Sequence, residues 1–165
     1  MMNKFEKKVL LISAISAVLL TPLSFIGKDY KKWIMCFLIN SYTNVFVAPA
    51  LATNGYLRYP VRLFPKIYKS SIIYDYFICS LITTWYCRFT LHDNWHNAIW
   101  KVLFFAAPQA ILELWFERNT KLIKYNRGWT GFHSFVTIAL AKYVIRLFIV
   151  YLDKFEQKQD DIHKT

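Results

Sequence analysis

VLLISAISAVLLTPLSFI, residues 9–26, runs for eighteen positions without a charge, framed by Lys7 and Lys8 before it and Lys28 after it. A helix needs about 20 mostly apolar residues to cross the hydrocarbon of a bilayer. The stretch offers no polar face to water, which a core helix of a soluble domain would show. A second block, WIMCFLINSYTNVFVAPALAT at 33–53, is also uncharged. Three more follow at 70–91, 98–116 and 132–152; each carries two charges, Asp75 and Arg88, Lys101 and Glu113, and Lys142 and Arg146. Block length and charge exclusion predict an all-α integral membrane bundle of about five transmembrane helices. One transmembrane domain over 1–152 is expected, with a charged tail at 153–165. The first block also has the basic start and apolar middle of a signal peptide. Its middle is followed by the bulky Thr21-Pro22-Leu23-Ser24-Phe25. That lacks a small-x-small cleavage site, so an uncleaved helix kinked by Pro22 is expected.

The composition agrees. Of 165 residues 56% are apolar and 19% aromatic, and the formal net charge is +11. Such a chain has too much apolar surface to be disordered. Only four Gly occur, and no phosphate-binding glycine loop can be written from them. Three Cys do not make a disulfide framework, and Cys36, Cys79 and Cys87 all fall within blocks, where they read as small apolar residues. No cofactor is implied.

With five crossings, the amino-terminal side carries eleven Lys and Arg in its tail and loops and the opposite side eight, counting Arg88 and Lys101 at the edges of the third loop. The excess leans toward a cytoplasmic amino terminus in a bacterial cell membrane. The second loop interleaves rings and cations, including Arg58, Tyr59, Arg62, Phe64 and Lys66. That mixture suits the headgroup layer, and anionic lipid is the expected partner rather than nucleic acid.

Ionisable residues at membrane depth are expensive and mark a site or a pair. At about 1.5 Å of rise per residue, Lys142 falls near the midplane. Asp75 and Glu113 then lie about 7–9 Å toward the amino-terminal side, and Arg146 about 6 Å the other way, level with Asn40. Gln109, Glu113 and Glu117 share a face of the fourth helix at i,i+4 spacing, as do Lys142 and Arg146 on the fifth and Asn40 and Asn44 on the second. These eight residues are expected to form an intramembrane polar network. Read as structural, they are pairs that fix helix register; read as functional, they line a path for an ion or solute. Five short helices without a repeat enclose little volume, which favours the structural reading.

His92-Asp93-Asn94-Trp95-His96 spaces two imidazoles as in the zincin motif. Asp stands where that motif has Glu and reaches a metal-bound water poorly, so His92 and His96 read as solvated loop residues rather than metal ligands.

Several segments together resemble a known group: YPVRLFPK at 59–66, YDYF at 74–77, ELWFERNTKLIKY at 113–125, Trp129, Ser134-Phe135 and Arg146-Leu147-Phe148. The series resembles an uncharacterised family of small multi-pass membrane proteins of spore-forming Firmicutes such as Bacillus and Clostridium. The resemblance implies a bacterial cell membrane and carries no activity or catalytic residue. The expected role is therefore a structural or accessory membrane component acting through helix packing, a membrane partner or a second copy. A small transporter using the charge network is the alternative.

Overall fold

The computed structural model describes residues 3–62 and 70–163. Five α-helices run in order: α1 (Lys4–Ser24), α2 (Tyr30–Thr53), α3 (Cys79–Thr90), α4 (Trp95–Asn119) and α5 (Gly131–His163). The protein is an all-α helical bundle. Helices α1, α2, α4 and α5 are each long and apolar enough to cross a membrane. α3 is only twelve residues long, but a π-helical segment (Ile72–Ile78) leads into it and completes that passage through the bundle.

The packing is inverted relative to a water-soluble domain. Large apolar side chains face outward, among them Val18 (72% exposed), Trp100 (72%) and Phe104 (77%), while Asn40, Asp75, Gln109, Glu113, Lys142 and Arg146 are buried. Apolar surroundings give helices no hydrophobic reason to associate, so small contacts and polar bonds between helices must hold them. Those bonds are present. Asn40 Nδ2 and Ser41 Oγ donate to Ser80 Oγ at 2.8 and 2.9 Å, joining α2 to α3. Trp85 Nε1 donates to Ser24 Oγ at 2.9 Å, joining α3 to α1. Tyr86 OH donates to Ala98 O at 3.0 Å, joining α3 to α4.

The two ends of the bundle are built differently. At one end, β1 (Leu57–Arg58) and β2 (Lys124–Tyr125) pair antiparallel, so the second and fourth loops lie on the same side. Glu6 Oε1 accepts from Lys121 N at 3.0 Å, bringing the start of α1 to that side as well. At the far end, Lys32 bonds Asp153 and lies 3.4 Å from Glu156. Arg146 donates to Thr90 O from Nε (3.2 Å) and Nη2 (2.9 Å), and from Nη2 to Asp93 O (2.6 Å). It satisfies carbonyls that the end of α3 leaves open.

The charged residues 153–163 belong to α5, which continues through them without a break. At 33 residues it is about 50 Å long against about 30 Å of hydrocarbon, so its last turns project beyond an apolar layer. Arg146 does not sit level with a partner on Asn40; it caps α3.

Replacing Arg146 by Met should therefore lower stability by about 2 kcal/mol, and Arg146→Lys, which keeps one donor head, should lose less. Reversible unfolding in mild detergent, followed by circular dichroism, measures both.

Candidate functional site

The site begins with a departure from regular helix. Between Ile72 and Ile78 the chain winds as a π-helix, with Cys79 N–H bonded back to Tyr74 O. π turns leave carbonyls poorly served and are frequent at functional positions. Two of these carbonyls find donors on α2: Asn44 Nδ2 reaches Asp75 O at 2.6 Å, and Ser41 Oγ reaches Tyr76 O at 3.0 Å. Helices at membrane depth tolerate irregularity only when a neighbour re-satisfies the backbone in this way.

The wound segment presents two side chains to the interior. Asp75 Oδ2 accepts from Ser71 N–H at 2.9 Å, satisfying a first-turn donor. Its Oδ1 accepts from Tyr59 OH at a long 3.5 Å. Tyr59 comes from the second loop; burial, then the nearby Asp75 carboxylate, pushes its phenol well above the ordinary range, so it remains a donor. Tyr74 OH donates to Glu113 Oε1 on α4 at 2.9 Å. One turn earlier on α4, Gln109 Nε2 donates to Cys79 Sγ at 3.0 Å. That leaves Gln109 Oε1 buried without a partner. From α5, Lys142 Nζ donates to Thr83 Oγ1 at 3.2 Å.

These groups converge on a cavity of about 110 Å³ between α2, the π segment, α3, α4 and α5. Leu57, Tyr59 and Ile123, all buried, close it toward the sheet side. Trp129, whose indole donates to Ser134 Oγ at 2.9 Å, lies beside them. Room of this size takes a few water molecules or one small polar head.

Of the eight residues expected to form a network, six line this cavity: Asn40, Asn44, Asp75, Gln109, Glu113 and Lys142. The other two do not. Glu117 stands half-buried at the rim, 4.0 Å from Lys124, which also bonds its backbone carbonyl. Arg146 belongs to the far end, as described above. The cause is the same for both: each i,i+4 step keeps the face but moves about 6 Å along the axis, into another layer. The expected pairing of Lys142 with a carboxylate is also absent, since among the described residues Lys142 forms no ion pair.

The basic–aromatic loop divides. Arg58 is exposed and Arg62 half-buried, but Tyr59 is turned inward onto Asp75, so it is a site residue and not an interfacial ring. Phe64 and Lys66 lie outside the described residues. Ser71 and Thr83 were not singled out from sequence, and Tyr74 and Ser134 stood only among the segments that carry the resemblance, with no site role.

Chemically the cavity offers carboxylate, amide and hydroxyl oxygens, the Cys79 sulfur and one ammonium. The oxygens suit hard cations and ammonium groups. His92 and His96 are exposed at the opposite end, and α4 starts only at Trp95, so the pair does not share a helix face. Among the described residues no three His, Cys, Asp or Glu side chains are grouped to hold a metal. No family model, curated protein or solved structure matches the chain.

Tyr74→Phe should destabilise by about 1–3 kcal/mol, because it strips a buried carboxylate of its donor. Tyr59→Phe, at the longer distance, should cost less. Detergent unfolding of both variants tests the ranking; equal losses would contradict the geometry.

Proposed function

We propose that this is a non-enzymatic, multi-pass accessory protein of the bacterial cytoplasmic membrane that retains a small polar group within the bilayer and does not pass it across. One observation carries the reading. The polar cavity occupies only the sheet-side half of the bundle. In the other half Trp33, Cys36, Tyr86, Cys87, Ile145 and Ile149 pack into one apolar cluster, and the buried Arg146 beside it is engaged by Thr90 O and Asp93 O. A conduit needs hydrated or polar walls through its whole depth.

The amino terminus and the sheet side face the cytoplasm in this reading, supported by the excess of Lys and Arg on that side. Arg58, Arg118, Lys121 and Arg127 are exposed there, which suits anionic headgroups. A membrane partner or a second copy would meet the outward apolar faces. The transport reading retains one supporting observation, the absence of a direct ion pair between Lys142 and the buried carboxylates.

Two measurements decide. In proteoliposomes holding a potassium and a pH gradient, leak should equal that of protein-free vesicles. Flux that disappears in Lys142→Met would overturn the accessory role in favour of transport. For orientation, single cysteines replacing Lys4 or Lys158, in a chain whose three native cysteines are Ser or Ala, should react differently with an impermeant maleimide on intact cells. Lys4→Cys should be protected and Lys158→Cys labelled; the reverse pattern inverts the topology.

A further inference from the structure

The cavity has a mouth as well as a floor. Most of its lining is buried or half-buried, and the two lining residues that are exposed, Thr43 and Val47, stand one turn apart on α2. Across from them, α5 contributes Thr137, Ile138 and Ala141, all half-buried. The opening therefore lies in the seam between α2 and α5. Exposed side chains on either side of it are apolar, Phe46 on α2 and Leu140 and Val144 on α5. A mouth so bordered opens into hydrocarbon, not into water.

Behind the mouth stand Asp75 and Glu113 with one ammonium, Lys142. When all three are ionised they leave one negative charge uncompensated, in a setting where an unpaired charge is costly. Gln109 adds an independent sign. It is 4% exposed, its Oε1 lacks any partner, and it lines the same cavity. A buried carbonyl oxygen left open is an acceptor waiting for a donor.

From this geometry we infer that the cavity is a binding site for an amphiphilic monocation, a single ammonium head carried on an apolar tail that enters sideways from the bilayer. The head would donate to Glu113 and to Gln109 Oε1 and would neutralise the remaining charge, with Lys142 held aside on Thr83. The 110 Å³ available fits a compact head and not a phosphate ester; a phosphate would also meet two carboxylates. The tail stays between Thr43, Val47 and the facing residues of α5. This inference rests on the reading of the protein as one that retains a polar group, and it names the class of group.

The test uses the full chain in phosphatidylcholine nanodiscs, with dodecylamine as probe, dodecanol as the neutral control of equal tail, and sodium or potassium chloride as the inorganic control. The readouts are the thermal midpoint and the number of ligands retained in native mass spectrometry. Dodecylamine should bind saturably and raise the midpoint while dodecanol does neither. Glu113→Gln and Gln109→Leu should each weaken binding about tenfold, the cost of one charge-assisted or buried hydrogen bond. Val47→Trp, which adds bulk at the mouth, should block entry, and its unliganded midpoint, measured beside that of the parent chain, separates a blocked mouth from a destabilised fold. Equal binding of amine and alcohol overturns the inference. So does a response to the inorganic cations alone, and so does full binding in Val47→Trp. Should Glu113→Gln or Gln109→Leu fail to fold, Val47→Trp and the alcohol control still decide. Loss of amine binding with tight, leak-free vesicles removes this inference only, whereas flux in those vesicles removes the retaining role itself.

Discussion

An apolar solvent cannot satisfy a hydrogen-bonding group, and this requirement organises the whole chain. At two places where the backbone departs from α-helix, a side chain from a neighbouring helix supplies the missing partner. Asn44 and Ser41 do so for the π segment, and Arg146 for the end of α3. Hydroxyl side chains within helices bond back to their own carbonyls, as Thr83, Thr84 and Thr90 do on α3. The polar residues of the interior are thus mostly connectors between elements. Gln109 is notable because one of its two polar atoms connects nothing.

The same requirement explains what could be read from sequence. Exclusion of charge over about 20 residues is a collective property of a block, and it locates helices without any knowledge of their neighbours. Residues 33–53 fall within α2 for that reason, and the block 9–26 overlaps α1 as far as Ser24, two residues short of its end. Which polar residues meet is a property of pairs of elements, and spacing along one helix informs it only halfway. It identified the shared face of Gln109 and Glu113, and of Lys142 and Arg146, but face alone does not set depth. Glu117 and Arg146 fell out of the site on depth. The winding of Ile72–Ile78 had no local signature, because the donors that serve the π turn stand 31 and 35 residues away in sequence. The full length of α5 was not legible, because charge marks where a helix leaves an apolar layer, not where it stops.

Tyr59 shows how loops contribute to such a site. By composition it belongs with the rings that settle among headgroups. The pairing of β1 with β2 draws its neighbours Leu57 and Arg58 under the bundle, and Tyr59 then has a buried carboxylate as its nearest polar neighbour. The sheet is only two residues long on each strand, yet it sets the floor of the cavity and joins the ends of three helices on one side.

The seam between α2 and α5 is fastened at both ends. On the sheet side, Arg127 donates to Asn54 O at 2.6 Å and the two strands pair just beyond. On the far side, Lys32 is bonded to Asp153, deep in the extension of α5. Two rods joined at top and bottom can part only in the middle, as a buttonhole does. Its length is fixed by the fastenings, and its width by how far the rods can bow. If the proposed ligand enters there, the slit would select by cross-section: a slender chain lying along the helices would pass, while a branched or ring-bearing one would be held out whatever the charge of its head.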